Sequence, residues 1–419
     1  MSFQTISVIG LGYIGLPTAA MFASRKKRVI GVDVNQHAVD TINRGEIHIV
    51  EPDLDMIVHE AVTEGYLKAT TTPEPADAFL IAVPTPFLPC VEGEFPQPDL
   101  KYIQTASEAI APVLKKGDLV ILESTSPVGT TEQMAEWMAK ARPDLTFPQQ
   151  ASNNADVSIA HCPERVLPGH VVRELVANDR VIGGMSSRCS ERSVALYKTF
   201  VMGECVKTNA RTAEMAKLTE NSCRDVQIAF ANELSVICDK LDIDVRELIS
   251  LANRHPRINI LQPGPGVGGH CIAVDPWFIV SKTPEEAKLI KTAREVNDAK
   301  PEWVINKVKL IIAEFLQANP TRTAKDVTIA CYGLAFKPDI DDLRESPALN
   351  IAKSIASKHP GQVLAIEPNI ESIDIENLKL VTIDESLTKA DIHVMLVDHK
   401  QFKKIKLNDS FIIDTKGIW

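Results

Sequence analysis

The sequence lacks the features that mark several large classes of protein. Its 419 residues contain no apolar run of about 18 residues, so no transmembrane helix is predicted. It has no excess of positive charge, because its formal net charge is −10, and this argues against a nucleic-acid partner. The first residues, MSFQTISVIG, lead into a strand-like run without a charged and apolar leader. We therefore expect a soluble cytoplasmic protein with neither a nucleic-acid nor a membrane partner.

The spacings of disulfide frameworks and of metal sites are missing as well. The eight cysteines are scattered along the chain with no C-x-x-C pair, which is typical of reduced thiols in a large protein. The pairs His161–Cys162 and His270–Cys271 are adjacent, and neither continues in the spacing of a zinc site. We predict neither disulfides nor a bound metal ion.

What the sequence does contain is an alternation of short apolar runs and helical patterns. Runs such as ISVIG, RVIGVDV and LVILEST alternate with helix-like segments, which is typical of parallel βα units. From Arg211 to Ile243 there is no Gly or Pro, and apolar residues recur every three or four positions, which predicts one long helix. Alternation then returns in DVTIACYGLAF and QVLAIEPN. We predict an α/β fold with two Rossmann-like domains, 1–205 and 320–419, joined by a central helical region, 206–302.

A glycine motif lies at the first strand-to-helix junction. In SVIGLGYIGLP, Gly10, Gly12 and Gly15 have the G-x-G-x-x-G spacing that lets a backbone approach a pyrophosphate. Asp33 ends the next strand-like run, and a carboxylate there accepts from ribose hydroxyls and repels a 2′-phosphate. An ordinary βα turn with an exposed aspartate is the alternative. The complete context favours a dinucleotide site that takes NAD rather than NADP.

The segment GPGVGGHCIAVD places one cysteine, Cys271, after a run of glycines. Such glycines allow a close approach of the backbone, and the thiol could be a buried core residue, a metal ligand or a nucleophile. A helix that begins at the cysteine would lower the pKa of the thiol, and Asp275 would lie one turn further on. Local spacing makes a metal ligand the weakest of the three, but it does not exclude a core residue.

Polar and charged side chains recur at positions suited to a ligand. Lys217, Asn221 and Arg224 share one face of the long helix, either as a solvated face or as groups that hold an oxyanion or orient a water. Further cations stand in loops of this acidic chain, which indicates an anionic small substrate such as a nucleotide diphosphate. They are Arg165, His255, Arg257, Lys337 and Arg344.

Six motifs taken together resemble the UDP-glucose/UDP-mannosaminuronate dehydrogenase family. They are GLGYIGLP, ESTSPVG, CPERVLPG, AEMAKLTEN, PGPGVGGHC and FKPDIDDLRESP, in this order along essentially the whole chain. The resemblance implies a homodimeric enzyme that oxidises the C6 alcohol of a UDP-sugar twice, with two NAD and one water. It also implies that 1–205 binds NAD, that 206–302 carries the dimer contact and catalytic residues, and that 320–419 binds the UDP-sugar.

The resemblance assigns expected roles residue by residue. Cys271 matches the nucleophile, which would form a thiohemiacetal and then a thioester. The other expected catalytic residues are Lys217, Asn221, Asp275, Thr125 and Glu164. The expected cofactor-binding residues are Gly10, Gly12, Tyr13, Ile14, Gly15, Asp33, Thr85, Thr125 and Arg344. The expected substrate-binding residues are Arg165, Val166, Lys217, Asn221, Arg224, His255, Arg257, Gly268, Phe336 and Lys337, of which Arg257 would reach across the dimer interface.

Three positions depart from the branch of the family that acts on UDP-glucose. His270, Val274 and Arg165 stand where that branch usually has serine, lysine and a hydrophobic residue. These differences fit the branch that acts on 2-acetamido sugars, and the closest resemblance implies UDP-N-acetyl-D-mannosamine as substrate and a role in enterobacterial common antigen synthesis. UDP-N-acetylglucosamine or UDP-glucose is the alternative substrate.

Two more distant functions remain open at this point. A single-step NAD dehydrogenase with the same N-terminal fold would need the lysine but not Cys271. A nucleotide-sensing regulator with an inactive site would need neither, although all four of Cys271, Lys217, Asn221 and Asp275 are present.

Overall fold

The computed structural model describes residues 3–89, 95–167, 169–269, 271–407 and 411–419. Cys90 and His270 lie outside the described residues, and His270 is one of the three positions on which the substrate prediction rests. The chain divides into two compact units. Unit 1 comprises Met1–Glu220 with Ser281–Thr283, and unit 2 comprises Asn221–Val280 with Pro284–Trp419.

Unit 1 is built on one sheet of eight strands. Their bounds are β1 (Thr5–Ile9), β2 (Arg28–Val32), β3 (Leu67–Thr70), β4 (Ala78–Ile81), β5 (Leu119–Leu122), β6 (Ser158–His161), β7 (Arg180–Gly184) and β8 (Cys205–Asn209). The strand order is β3-β2-β1-β4-β5-β6-β7-β8. Neighbouring strands are parallel except for the antiparallel pair β6 and β7.

Helices cover both faces of this sheet. They are α1 (Gly15–Ser24), α2 (Gln36–Asn43), α3 (Leu54–Thr63), α4 (Lys101–Ile110), α5 (Thr130–Ala141), α6 (Pro148–Ala151), α7 (Val171–Ala177) and α8 (Ser187–Tyr197). Alternate residues of β4 enter different cores: Ala78 and Leu80 pack in one, and Phe79 and Ile81 in the other. Because both faces are buried, the central strands are continuously apolar, as the sequence predicted.

The predicted long helix is α9 (Ala210–Lys240), which has 31 residues. Its end is set by Asp242, whose φ of +55° the helix cannot continue. The N–H of Ile243 donates to the carbonyl oxygen of Cys238 at 2.9 Å, the long hydrogen bond of a Schellman motif. The residues of α9 up to Glu220 belong to unit 1, and those from Asn221 belong to unit 2.

Unit 2 combines helices with a second, smaller sheet. The helices are α10 (Val245–Ala252), α11 (Asp275–Lys282), α12 (Lys288–Ala318), α13 (Pro347–Lys358) and α14 (Ile383–Lys389). The strands are β9 (Ile329–Tyr332), β10 (Val363–Ile366), β11 (Leu378–Leu380), β12 (Ile392–Met395) and β13 (Ile412–Asp414). They are all parallel, in the order β11-β10-β9-β12-β13. The predicted α/β fold with two Rossmann-like parts and a helical region is confirmed.

A buried polar cluster connects α9 with α12 inside unit 2. Arg294 Nη1 donates to Asp225 Oδ1 at 2.7 Å, and Asn297 Nδ2 donates to the same oxygen at 2.8 Å. Asn232 Nδ2 in turn donates to Asn297 Oδ1 at 2.9 Å. Because buried polar groups tolerate few alternative pairings, these contacts fix the rotation of α9 directly after Asn221.

No helix among the described residues is long and apolar enough to cross a lipid bilayer.

Candidate active site

The glycine motif of unit 1 separates into two kinds of glycine. Gly10 has a φ of +90°, and a Cβ there would lie 2.6 Å from the carbonyl oxygen of Ala82. A Cβ on Gly15 would lie 1.7 Å from the carbonyl oxygen of Gly10. Around Gly12, no atom of the described residues lies within 4 Å of the Cβ position. The fold therefore needs Gly10 and Gly15, whereas Gly12 leaves space for a group outside the chain, as a pyrophosphate would require.

The neighbouring groups suit the rest of a dinucleotide. Ile14 stands at the N-cap of α1 without a side-chain capping hydrogen bond, and Tyr13 is exposed, so this helix end can receive an anion. Asp33 follows β2, where its Oδ2 accepts from the N–H of Leu11 at 2.8 Å and its Oδ1 from the N–H of Asn35 at 2.9 Å. Each oxygen has a further lone pair, which a ribose hydroxyl can use.

The loops that follow β4 and β5 lie side by side. Thr85 Oγ1 donates to the carbonyl oxygen of Thr125 at 2.8 Å, and Ser124 Oγ donates to that of Val83 at 2.7 Å. The structure thus brings together Thr85 and Thr125, which the sequence predicted separately as site residues.

A carboxylate from α9 holds the second of these loops. Glu214 is buried; its Oε2 accepts from the N–H of Gly129 at 2.7 Å, and its Oε1 accepts from the N–H and the hydroxyl of Thr131 at 2.7 and 2.6 Å. Burial raises the pKa of Glu214, and these donors oppose the rise. Glu214 therefore caps α5 and connects the loop of Thr125 to the helix turn that precedes Lys217.

The loop after β6 carries three predicted residues with different surroundings. Glu164 is buried, and its Oε2 accepts from Arg180 Nη2 at 2.6 Å. Arg165 forms an ion pair with Glu220, at 2.7 Å. Val166 packs against the apolar core of unit 1. Of the three, Glu164 is the side chain that the protein holds most firmly in place.

The polar stripe of α9 is partly buried rather than a fully solvated face. Lys217 and Asn221 are half-buried, and Arg224 is exposed. Within unit 2, Asn221 Nδ2 donates to Asp275 Oδ2 at 2.5 Å, and the Asp275 side chain is buried at the start of α11. The structure therefore joins two predicted catalytic residues, and the second N–H of the Asn221 amide is available for another acceptor.

Cys271 is exposed in a turn that leads into α11. The N–H of Asp275 donates to the carbonyl oxygen of Cys271 at 2.9 Å, which closes one helix-like turn. The helix itself begins at Asp275, four residues after the start suggested by the sequence. Pro276 explains the difference, because a proline is tolerated in the first turn of a helix but lacks the N–H that an interior position needs.

The glycines before Cys271 approach another part of unit 2. A Cβ on Gly268 would lie 2.4 Å from the carbonyl oxygen of Glu345, and a Cβ on Gly269 would lie 3.1 Å from the ring of Phe336. The close approach that the sequence predicted is therefore to the segment that carries Phe336 and Lys337. Lys337 is exposed, with its Nζ 5.4 Å from the centre of the Phe336 ring.

The remaining predicted cations of unit 2 are exposed. Arg344 forms an ion pair with Asp342, at 2.6 Å. His255 and Arg257 lie in the loop after α10, where the N–H of Arg257 donates to His255 Nδ1 at 3.4 Å. Their predicted contacts with cofactor, substrate and partner subunit stay predictions.

Among the other cysteines, Cys162 has a buried thiol that is unreactive. Burial raises the pKa of the Cys162 thiol to about 12, and burial lowers the pKa of its neighbour His161 to about 3. Across the described ranges there is no group of three His, Cys, Asp or Glu side chains that could hold a metal ion.

Sequence reasoning missed three buried groups that organise unit 1. Glu214 belongs to the motif AEMAKLTEN, from which only Lys217 and Asn221 were predicted as site residues, and Arg180 and Glu123 stand at the ends of strand-like runs. A charged residue directly next to a continuously apolar strand is a signal that could have identified Arg180 and Glu123, since such a side chain needs a buried partner.

Comparison with known proteins decides between the open alternatives. Residues 4–201, 211–299 and 330–419 match the NAD binding domain, the central domain and the UDP binding domain of the UDP-glucose/GDP-mannose dehydrogenase family. The chain belongs to this family. The resemblance stated from the six motifs is confirmed, and so is NAD as the cofactor.

Three relatives show how closely the family resemblance extends. UDP-N-acetyl-D-mannosamine dehydrogenase of Yersinia pestis is 67% identical, with 100% of both chains covered. NDP-N-acetyl-D-galactosaminuronic acid dehydrogenase of Ralstonia nicotianae is 61% identical, covering 100% of this chain and 97% of the relative. Among solved structures, UDP-N-acetyl-mannosamine dehydrogenase from S. aureus has a TM-score of 0.83 and 42% identity, covering 99% of this chain and 95% of that chain.

The different surroundings of Gly12 and Gly15 lead to a testable contrast. Gly12→Ala should weaken NAD binding by about tenfold or more, because its methyl group would occupy the space left for the pyrophosphate. The unfolding temperature should stay close to that of the wild type, since no atom of the described residues lies within 4 Å of the new Cβ. Gly15→Ala is the matched control. It should lower the unfolding temperature in addition to weakening NAD binding, because its Cβ would clash with the carbonyl oxygen of Gly10. Titration calorimetry with NAD and thermal unfolding measure both effects, and wild-type NAD affinity in Gly12→Ala would contradict the assignment.

Proposed function

We propose that this protein is a UDP-N-acetyl-D-mannosamine dehydrogenase, which oxidises the C6 alcohol of its substrate to the carboxylate in two steps. The observation that carries the proposal is the relative of that name, 67% identical over the full length of both chains. The product, UDP-N-acetyl-D-mannosaminuronate, would serve bacterial polysaccharide synthesis, for which we propose enterobacterial common antigen. The Ralstonia relative favours a second candidate, a 2-acetamido sugar of different configuration.

The proposed nucleophile is Cys271. Its exposure and its place in the turn before α11 make the thiol accessible to an aldehyde. The sulfur would add to the aldehyde carbon and form a thiohemiacetal; loss of a hydride from that carbon would leave a thioester, and water would release the acid and the thiolate. NAD, when bound, supplies the acceptor for both hydrides.

The groups around the reacting carbon are proposed to manage charge and protons. Lys217 and the second amide N–H of Asn221 would stabilise the oxyanion that forms at each addition step. Asp275 would keep that amide oriented through the hydrogen bond from Asn221. Thr125 and Glu164 would hold the water for thioester hydrolysis, with the Glu164 carboxylate as its proton acceptor.

Binding of the two nucleotides is assigned to the remaining residues. Gly12, the uncapped end of α1 and Asp33 would hold NAD. We propose that Arg344 lies near the cofactor and that Lys337 and Arg257 bind the UDP-sugar, because guanidinium and ammonium groups match its diphosphate. The remaining proposed site residues are Gly10, Tyr13, Ile14, Gly15 and Thr85 for the cofactor, and Arg165, Val166, Arg224, His255, Gly268 and Phe336 for the substrate.

Substrate choice is tested by comparing sugars side by side. UDP-N-acetylmannosamine should give a kcat/KM at least about tenfold above those of UDP-N-acetylglucosamine, UDP-N-acetylgalactosamine and UDP-glucose. The reason is that a site with hydrogen-bonding groups placed for one epimer leaves them unpaired with another. Initial rates of NADH formation at 340 nm measure this, and a higher kcat/KM for any other sugar would replace the mannosamine assignment.

The nucleophile is tested by replacing one thiol at a time. Cys271→Ser should lower the rate of carboxylate formation by about a hundredfold or more, because a serine hydroxyl is a far weaker nucleophile near neutral pH. Cys223→Ser is the matched control, since Cys223 is also an exposed thiol, and it should retain full turnover. Quantifying the uronate by chromatography separates the two outcomes. Near-normal uronate formation by Cys271→Ser would exclude the proposed role.

We also propose a homodimer that covers one side of α9. Phe230, Ile237 and Leu241 are spaced by seven and four residues, and each is 45% to 61% exposed. An exposed apolar stripe of this kind is typical of a subunit interface. The proposed reach of Arg257 into the partner's site depends on such a dimer.

The dimer is tested by placing a charge in the stripe. Ile237→Glu should shift the protein to monomers in sedimentation velocity, because an unpaired carboxylate is costly in an apolar interface. Leu310→Glu is the control, since Leu310 is an exposed leucine on α12, and it should leave the dimer intact. A wild-type protein that is monomeric and fully active would contradict both the interface and the role of Arg257.

A further inference from the structure

A buried cation in unit 1 stands beside one of the proposed catalytic residues. Arg180, at the start of β7, is 4% exposed and lies against the Tyr197 ring, with its guanidinium carbon 4.5 Å from the ring centre. Two carboxylates, Glu123 and Glu164, reach this one guanidinium from the ends of β5 and β6. A buried arginine shared by two carboxylates needs an explanation beyond stability, because burying ions is rarely favourable by itself.

The contact with Glu164 is the closer of the two. Arg180 Nη2 donates to Glu164 Oε2 at 2.6 Å, and the N–H of Arg165 donates to Glu164 Oε1 at 2.7 Å. These two donors fix the plane of the carboxylate and still leave each oxygen a lone pair. A carboxylate held in this way can accept a proton from a water without reorienting first.

Glu123 lies farther from Arg180 than Glu164 does, and the two carboxylates compete for this one guanidinium. Glu123 Oε1 lies 3.9 Å from Arg180 Nη1 and accepts from the Tyr197 hydroxyl at 2.6 Å. Glu123 Oε2 is buried and has no hydrogen-bond partner among the described residues. Tyr197 therefore holds Glu123 back from the guanidinium, and Glu164 keeps the direct contact.

We propose that Arg180 is a positioning residue for thioester hydrolysis. It acts by holding the Glu164 carboxylate in place, in competition with Glu123 for the same guanidinium. The proposal rests on the proposed function, in which an acyl group is bound to Cys271. In the step concerned, the water oxygen bonds to the acyl carbon, the carbon–sulfur bond breaks, the electron pair returns to the Cys271 sulfur, and the water proton passes to Glu164.

The charge of Glu123 makes the competition depend on pH. Burial raises the pKa of Glu123 to about 7, and the groups that face it are Arg180 from β7, Glu164 after β6, Tyr197 from α8 and Cys162 after β6. Below pH 7 Glu123 is mostly neutral, and Arg180 serves Glu164 alone. Above pH 7 Glu123 is mostly ionised, and it draws the guanidinium away from Glu164.

Arg180→Lys tests the positioning role, because it keeps the buried charge but loses the planar fork that spans the two carboxylates. With UDP-N-acetylmannosamine and NAD, we expect hydrolysis to slow by about tenfold or more, while the burst of NADH before hydrolysis changes by less than about threefold. Intact-mass spectrometry of quenched reactions should show acylated enzyme. In the Glu164→Gln background, Arg180→Lys should add less than about a twofold effect, since the residue acts through Glu164.

Equal slowing of burst and hydrolysis by Arg180→Lys, without acylated enzyme, would overturn the proposal. So would full additivity with Glu164→Gln. A wild-type enzyme that never acylates Cys271 would instead overturn the proposed function, so the two failures are distinguishable.

Glu123→Gln gives a second test that does not depend on whether Arg180→Lys folds. The amide resembles the protonated side chain, so the ratio of hydrolysis rates, variant to wild type, should be close to one at pH 6 and rise to about three at pH 8.5. Thermal unfolding at both pH values checks that the variant is folded. A ratio that does not change with pH, or that falls, would show that Glu123 does not compete for Arg180 and would overturn the proposal.

Discussion

The cap that Glu214 places on α5 is the contact on which the arrangement of unit 1 depends. Helix α5 begins after Gly129, which has no side chain to satisfy the N–H groups of the first turn. Glu214, from α9, accepts from two of those N–H groups and from the Thr131 hydroxyl. Since Lys217 lies one turn further along α9, one buried carboxylate sets both the loop of Thr125 and the turn that carries the lysine.

The two Rossmann-like parts stabilise the turn after their first strand in the same way. Each has a glycine of positive φ after its first strand, Gly10 in unit 1 and Gly333 in unit 2. In each, a carboxylate after the neighbouring strand accepts from the backbone N–H that follows the glycine: Asp33 from Leu11 at 2.8 Å, and Glu367 from Leu334 at 2.7 Å. The carboxylates therefore stabilise the turns at which nucleotides are proposed to bind, whether or not a ligand is present.

Much of this architecture follows from local sequence, because its signals act over short distances. The spacing of Gly10, Gly12 and Gly15 predicted the first turn, and the absence of Gly and Pro from 211 to 243 predicted α9. The sequence did not predict α12 as one element of 31 residues, because Pro301 interrupts its helical pattern. The helix nevertheless continues through this proline.

The parts of the site that the sequence did not predict depend on contacts between distant residues. Glu214 meets Thr131 across 83 positions, and Tyr197 meets Glu123 across 74. No periodicity or motif encodes such pairs. Cys271 shows the intermediate case: its neighbours were predicted from spacing, but the start of α11 depended on the position of Pro276 and the burial of Asp275.

In the proposed reaction one enzyme carries the sugar through both oxidations, with Cys271 holding the half-oxidised carbon. The most direct measurement is the amount of NADH formed when a limiting, weighed amount of UDP-N-acetylmannosamine is consumed to completion. Two NADH per sugar, with uronate as the sole product, is the expected result. One NADH per sugar, with an aldehyde left in solution, would contradict this two-step reaction.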